Sequence, residues 1–404
     1  MATKPIVPFA VVEYHGVPIR IVAPYMYELS FKYKPDGTGM VKTLWDFLRV
    51  EVSTSSEGLL TEEQEVYLNR AMTCGLIKVN GELVHGDYVL KRNDTVFRLW
   101  HRHEPPVLFV PISEIVVLET DELIVCNKPS TIPVHSSGDY RLQSLLHILG
   151  SERGDLGPLF NVHRIDRLTS GLVVLARSSE AAKRLSDAIQ GRASVRVRKT
   201  YVARVHGRFP SDKEDAKRCK GVVRVTESPS HGCCIEVSIR LASTDAQLGA
   251  HGVDEENGKE CVSEFQFLAY DEKSTTSLVK CEPVTGRTHQ LRLHLQAMGF
   301  PIENDPDYGW EAKASRSLVL DEAFSDICVT ALRDAIQHKS ESESEILALE
   351  MCVACKVKME PPRHLGLYLH SCRYRFYENS KVVRDFRVPL PPWCFEMDSV
   401  WAEM

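Results

Sequence analysis

Long apolar runs are missing from this sequence of 404 residues. No stretch approaches the roughly eighteen uninterrupted apolar residues that a membrane-spanning helix needs, so we expect no transmembrane helix. The N-terminus has neither the apolar core of a secretory signal peptide nor the arginine and serine enrichment of an organellar presequence. These absences predict a cytoplasmic protein, with the nucleus and the mitochondrion as alternatives.

An excess of positive charge is also missing, because the formal net charge is -6. Any surface that binds nucleic acid must therefore be a local patch and not the whole molecule. Without a secretory signal, the 12 cysteines indicate reduced intracellular thiols and not a disulfide framework. The apolar share of 43% and the charged share of 26% are those of an ordinary globular protein, and the length predicts two or more domains.

One carboxylate, Asp166, lies in a short segment with His163, Arg164 and Arg167. Five apolar residues, 172–176, follow it and predict a buried strand. Nearby arginines favour the ionised form of a carboxylate. A charged carboxylate beside the core is able to act as a nucleophile, a general base or a metal ligand. The alternative interpretation is a structural ion pair at a turn.

The N-terminal part of the chain predicts an arm followed by a small module. Residues 1–40 show little periodicity, and we expect an arm that packs on a neighbour. Residues 41–103 predict two helices and a hairpin sheet, since a capping signature begins at Thr61 and Asn80-Gly81 is a strong hairpin signal. Helix, helix and hairpin in this order resemble the S4 RNA-binding module; a generic α+β subdomain is the alternative.

Two prolines, Pro105 and Pro106, predict a domain boundary, with the main domain spanning 107–404. Three polar segments interrupt this domain, and we expect them to be insertions. They lie near 210–235, 243–262 and 311–350.

A basic strand is predicted within residues 192–208, which carry six positive charges and no negative ones. The alternation of residues 199–205 places Tyr201 on one face, with Lys199 immediately before it. A basic edge with an aromatic side chain suits nucleic-acid contact, whereas a solvated edge protected by charge is the alternative.

A Thr-Gly turn at residues 285–286 leads into a predicted helix start. Helix starts bind anions through free backbone N–H groups, so Arg287 and Thr288 would lie where a phosphate could bind. Further along, Cys352 and Cys355 have the spacing of half a zinc site. The other half would be irregular in spacing, and we expect no metal.

The segment HRIDRLTSG, residues 163–171, resembles the signature of the RluA family of RNA pseudouridine synthases. Three companion segments occur in the family's order: the Lys128-Pro129 segment, RKTYVA from Arg198 and GRTHQLR from Gly286. The resemblance implies an α+β fold with a mixed, largely antiparallel central sheet. Within this family, the sequence is similar to the eukaryotic branch that modifies tRNA and carries an S4-like module.

This resemblance also implies roles for individual residues. Asp166 would be the catalytic aspartate, Tyr201 would pack against the flipped uracil, and Arg287 would pair with the aspartate. Further residues are expected to bind the RNA, and they are Arg164, His163, Arg167, Thr169, Lys199, Thr288, His289, Gln290 and Arg292.

The expected activity is isomerisation of uridine to pseudouridine with base flipping, with no metal or organic cofactor. The expected partner is tRNA, with rRNA as the alternative, and the expected state is a monomer. Two other functions are weighed against it. A catalytically inactive RNA-binding protein would keep the module without the chemistry, and a glycosidase would need a second carboxylate that the motif lacks.

Overall fold

The computed structural model describes most of the chain in ten stretches. They are residues 9–35, 42–52, 62–73, 75–228, 232–245, 250–310, 327–328, 330–332, 362 and 364–394. Cys352, Cys355 and nearly all of the predicted insertion 311–350 lie outside the described residues.

The strands are, in chain order, β1 (Phe9–Tyr14), β2 (Val17–Val22), β3 (Tyr25–Lys32), β4 (Ile77–Val79), β5 (Thr95–Arg102), β6 (Val107–Leu108), β7 (Val116–Glu119), β8 (Leu123–Lys128), β9 (Phe160–Asn161), β10 (Ser170–Ala176), β11 (Arg196–His206), β12 (Val222–Ser228), β13 (Gly232–Asp245), β14 (Ala250–Val253), β15 (Lys259–Asp271), β16 (Thr276–Pro283), β17 (Leu369–Glu378) and β18 (Lys381–Arg387). The helices are α1 (Leu44–Val52), α2 (Glu62–Thr73), α3 (Ile112–Ile115), α4 (Leu145–Glu152), α5 (Ser179–Ile189), α6 (Lys213–Ala216) and α7 (Gln290–Ala297). None of the described helices is long and apolar enough to cross a membrane.

The chain divides into two compact units. The larger unit contains the described residues within 1–22, 104–335 and 358–404, and the smaller contains those within 23–103. This division corrects the predicted arm of residues 1–40. In the larger unit β1 pairs with β2, and β2 pairs with β6. In the smaller unit β3 pairs along its whole length with β5. Strand pairing, which local periodicity did not reveal, assigns these residues to two units.

In the smaller unit, two helices accompany a three-stranded antiparallel sheet in the order β3-β5-β4. The predicted hairpin turn at Asn80-Gly81 is confirmed, since both residues have positive φ angles, 53° and 86°. Leu44, Leu48 and Leu68 are buried in its core.

A twelve-stranded sheet forms the core of the larger unit. Its main path runs β12-β13-β15-β16-β11-β17-β10-β8-β7, and β14, β18 and β9 pair at its sides. Among the described strands, only β10 and β17 pair in parallel. The architecture is therefore α+β with a mixed, largely antiparallel sheet, as the sequence predicts.

Two sequence expectations about this sheet need adjustment. The basic strand β11 is not a sheet edge, because it pairs with β16 on one side and β17 on the other. The polar segments 210–235 and 243–262 contribute hydrogen-bonded strands to the sheet, since β13 pairs with β12, β14 and β15. Ile235, Val237 and Ile239 of β13 are buried.

Candidate active site

An open cleft of about 1500 Å³ lies in the larger unit. Four stretches of the chain contribute to its lining, within residues 162–169, 188–201, 264–292 and 369–380, and every predicted site residue except Arg167 is among them. Those residues are His163, Arg164, Asp166, Thr169, Lys199, Tyr201, Arg287, Thr288, His289, Gln290 and Arg292. The cleft therefore gathers residues that are more than 120 positions apart in the chain.

The loop that carries Asp166 is fixed by the start of β10. Gly171 has a φ of 107°, and a Cβ there would lie 2.1 Å from the carbonyl oxygen of Ser371 on β17. Only glycine permits this close approach of two backbones. The parallel pairing of Ser170 with His370 and of Gly171 with Ser371 then sets where the loop leaves the sheet.

The buried side chain of Lys128 also holds the loop that carries Asp166. The ammonium group of Lys128 donates to the carbonyl oxygens of Pro129 (2.8 Å), Ile132 (2.7 Å) and Arg167 (3.2 Å). Burial lowers the pKa of Lys128 to about 7, and the negative charge of Asp166 opposes this. Three acceptors compensate for the buried charge, and Lys128 thereby joins its own segment to the one that carries Asp166.

Arg292, not Arg287, is the arginine beside Asp166. Its Nη1 lies 3.8 Å from Oδ2 of Asp166. Its Nε and Nη2 donate to the two oxygens of Asp305 at 2.7 and 2.6 Å, and Nη2 also donates to Asp307 at 2.7 Å. The Arg292 side chain is only 3% exposed, and these carboxylates raise its pKa against the effect of burial. Arg292 is thus a fixed positive charge in the cleft wall.

The predicted pairing of Asp166 with Arg287 is therefore wrong. Arg287 is exposed on the cleft wall, and its guanidinium interacts with the thiol of Cys261. The flanking arginines of the motif are not the ion-pair partners either. Arg167 lies outside the cleft lining, with its guanidinium carbon 5.2 Å from the ring centre of Tyr140, and its role in RNA binding stays a prediction.

After Arg292, His289 is the second side chain that lies near the carboxylate of Asp166. Its Nε2 lies 3.8 Å from Oδ2 of Asp166, and its Nδ1 lies 2.8 Å from the hydroxyl of Tyr308. Burial lowers the pKa of His289 even though Asp166 acts in the opposite direction, so the ring is neutral at pH 7.

Tyr201 lines the cleft next to a second tyrosine that the sequence analysis did not select. The hydroxyls of Tyr201 and Tyr374 are 3.0 Å apart. Burial raises the pKa of Tyr201 well above its usual range and that of Tyr374 to about 12. Both phenols are therefore neutral. The segment from Leu367 to Tyr374 also resembles the family, but only weakly, and this is the one signal in the sequence that points to Tyr374.

Two predicted RNA-binding side chains serve the fold. His163 accepts a hydrogen bond from the backbone N–H of Val174 through Nε2, and burial lowers its pKa to about 3. Gln290 accepts from the Thr285 hydroxyl and the Arg287 backbone N–H, and it donates to residues 262–263. Nε2 of His163 and the side-chain amide of Gln290 are therefore already hydrogen-bonded within the protein.

The cleft rim is basic. Arg164, Arg192 and Arg196 are exposed there, and burial lowers the pKa of the half-buried Lys199. Thr288 is exposed beside them, and the buried Thr169 hydroxyl has no hydrogen-bond partner among the described residues. Arg198, in contrast, is paired with Glu264 and Glu282. Within the described residues, no group of three metal-binding side chains is arranged to hold a metal ion.

Several known proteins are similar to this chain. A family model described as RNA pseudouridylate synthase matches residues 122–297. RNA pseudouridine synthase 7 of Oryza sativa subsp. japonica is 31% identical over 402 residues, which covers 94% of this chain and 91% of the relative. Two Saccharomyces cerevisiae proteins are also similar. The mitochondrial tRNA pseudouridine(32) synthase is 31% identical over 95% of this chain and 77% of its own length. The tRNA pseudouridine(31) synthase is 29% identical over 93% and 95%.

Proposed function

This chain belongs to the RNA pseudouridylate synthase family and is an RNA-modifying isomerase, and we propose that it converts specific uridines of tRNA with Asp166 as its catalytic carboxylate. The main support for this role of Asp166 is its position in the cleft, where Nη1 of the fixed Arg292 guanidinium lies 3.8 Å from its Oδ2. A buried arginine that is fixed by Asp305 provides a preorganised positive charge for this carboxylate.

The chemistry needs no redox change and no cofactor. The bond between C1′ of the ribose and N1 of uracil breaks, the base turns, and a bond forms between C1′ and C5. The proton leaves C5, and N1 of the product carries a hydrogen, so atoms and electrons balance. The target base must leave its stack to reach the cleft. Asp166 would attack the sugar or the base, or it would take a proton from the sugar.

Tyr201 provides the wall against which the flipped uracil packs. Its hydroxyl is occupied by Tyr374 and its ring lines the cleft, which favours a packing role. Arg164 is exposed at the mouth and carries a charge suited to a displaced phosphate or to the gap left by the base. Lys199, Arg287 and Thr288 extend this basic wall toward the rim and are our candidates for phosphate contacts.

The choice of tRNA rests on the names of two relatives, both tRNA pseudouridine synthases of yeast. Ribosomal RNA is the alternative. The net charge of -6 means that RNA is bound by the local basic rim and not by the whole surface. We propose a monomer that acts in the cytoplasm. The mitochondrion is the alternative, since one relative is named mitochondrial.

The smaller unit is proposed to be an S4-like RNA-binding module. Two helices and a small antiparallel sheet support this assignment. Deleting such a module should weaken RNA binding and leave the chemistry of the cleft in place.

Pseudouridine mapping of total RNA tests the proposed substrate. RNA from cells with and without this protein would be compared, and the purified protein would then be added to the RNA that lacks the modification. We expect a few tRNA uridines to lose pseudouridine and to regain it on addition of the protein. Restoration confined to rRNA would contradict the assignment to tRNA, and no restoration in any RNA would contradict the proposed activity.

A further inference from the structure

His289 holds an uncommon backbone conformation directly at the site. It precedes the first residue of α7 with φ 56° and ψ 18°, in the left-handed region. A residue other than glycine is rarely found there, and such conformations concentrate at functional sites. Its imidazole lines the cleft and remains 20% exposed.

The ring lies between a hydroxyl and a carboxylate. Its Nδ1 is 2.8 Å from the hydroxyl of Tyr308, and its Nε2 is 3.8 Å from Oδ2 of Asp166. The Tyr308 hydroxyl has a second acceptor within reach, the carbonyl oxygen of His251 at 3.3 Å. Since a hydroxyl has a single hydrogen, it donates to one of the two.

Two features of the site favour donation of a hydrogen bond from the Tyr308 hydroxyl to Nδ1 of His289. The contact with Nδ1 is the shorter one, and a carboxylate that faces Nε2 stabilises the tautomer with a hydrogen on that nitrogen. The neutral ring then directs its Nε2–H toward Asp166. Burial lowers the pKa of His289, which keeps the ring neutral.

Oδ2 of Asp166 is therefore approached by two donors, Nε2 of His289 and Nη1 of Arg292, each at 3.8 Å. This distance is longer than a hydrogen bond, but catalytic hydrogen bonds are often long in a free enzyme and shorten when substrate binds. With both donors at Oδ2, Oδ1 is the oxygen left to face the substrate.

We propose that His289 is a positioning residue that, together with Arg292, holds Oδ2 of Asp166 so that Oδ1 meets the uridine. This inference rests on the proposed role of Asp166 as the catalytic carboxylate. It replaces the expected role of His289 in RNA binding. Tyr308 acts one step further away by selecting the tautomer that makes Nε2 a donor.

Substitutions at position 289 test this with a matched pair. Glutamine places an amide nitrogen near the position of Nε2, whereas asparagine places it near that of Nδ1 and tolerates the left-handed backbone well. We expect His289→Gln to keep kcat within about ten-fold of wild type and His289→Asn to lose roughly 10²-fold, the cost of a small misplacement of a catalytic group. KM and the melting temperature should be similar in both variants.

The pH profile separates positioning from proton transfer. The groups that face His289 are the same in both variants, and they are Asp166, Arg292, Asp307, Tyr308 and the ring of His251. A protonated His289 still donates through Nε2, so positioning predicts that the acidic limb of kcat is the same in wild type and His289→Gln. A proton acceptor at this position would instead give a limb that disappears with the histidine.

Assays would use tRNA from cells that lack this protein, with pseudouridine measured by mass spectrometry. Tyr308→Phe should lower kcat a few-fold, since it removes the tautomer preference. Equal impairment of the glutamine and asparagine variants, or a lost acidic limb in His289→Gln, would overturn the inference. A wild-type protein that forms no pseudouridine would instead contradict the proposed function, which keeps the two failures distinct.

Discussion

Nη1 of Arg292 lies 3.8 Å from Oδ2 of Asp166, while Nε and Nη2 of the same guanidinium bind both oxygens of Asp305. One buried arginine thus connects a carboxylate in the cleft to a carboxylate in the core. The contact depends on the planar, forked geometry of the guanidinium, because Arg292 makes it with its third nitrogen while the other two are occupied.

Arg292→Lys should therefore impair the reaction although it keeps the positive charge. Lysine has one ammonium group and cannot bind Asp305 and approach Asp166 at the same time, so we expect kcat to fall roughly 10²-fold, as for loss of one preorganised donor. Arg287→Lys is the matched control. Arg287 is exposed, and its replacement should change kcat less than about ten-fold and act mainly on KM. Equal losses of kcat in the two variants would contradict the assignment of Arg292.

The choice between these two arginines shows a limit of the sequence. The motif GRTHQLR contains both, and its spacing does not reveal which one turns inward. The structure distinguishes the two arginines by their burial. Arg292 lies on a helix whose residues 290–295 are all buried, whereas Arg287 lies in the exposed turn before it. Asp305, which fixes Arg292, lies in a loop that no motif identified.

Gly171→Ala should destabilise the protein strongly. The new Cβ would lie 2.1 Å from a backbone oxygen of Ser371, in a left-handed backbone conformation, so we expect a loss of roughly 3–5 kcal/mol in the free energy of unfolding. Gly207→Ala provides the control. Its φ is also positive, but no atom lies closer than 3.8 Å, and the loss should be about 1–2 kcal/mol. Urea unfolding of both variants measures the difference, and similar losses would refute the close approach of β10 and β17.

Local sequence patterns predicted the elements on either side of this contact but not the contact. The apolar run of β10 and the turn at Asn80-Gly81 both follow from neighbouring residues. The pairing of Gly171 with Ser371 joins positions 200 residues apart. The contact between the hydroxyls of Tyr201 and Tyr374 depends on the pairing of β11 with β17, which is equally remote in the chain. Local periodicity contains no information about such partners.

Acidification should destabilise the larger unit through its buried histidines. Burial lowers the pKa of His294 to about 4, and neither ring nitrogen has a hydrogen-bond partner among the described residues. Between about pH 6.5 and that value the unfolded chain binds a proton that the folded protein excludes, so stability falls as the pH falls.

His294→Leu should reduce this dependence. The slope of the unfolding free energy against pH should decrease by up to about 1.4 kcal/mol per pH unit within that window, while stability at pH 7 should be unchanged or higher. Urea titrations at a series of pH values measure the slope. An unchanged slope would show that His294 takes up a proton in the folded protein.

The assignment of Asp166 as the catalytic carboxylate is tested most directly by Asp166→Asn in a single-turnover assay with tRNA from cells that lack this protein. Asparagine keeps the shape and removes the charge, so pseudouridine formation should fall at least ~10³-fold while the Kd for the RNA stays within a few-fold. Asp307→Asn, at an exposed carboxylate that also binds Arg292, should retain most of the activity. Full turnover by Asp166→Asn would contradict the account.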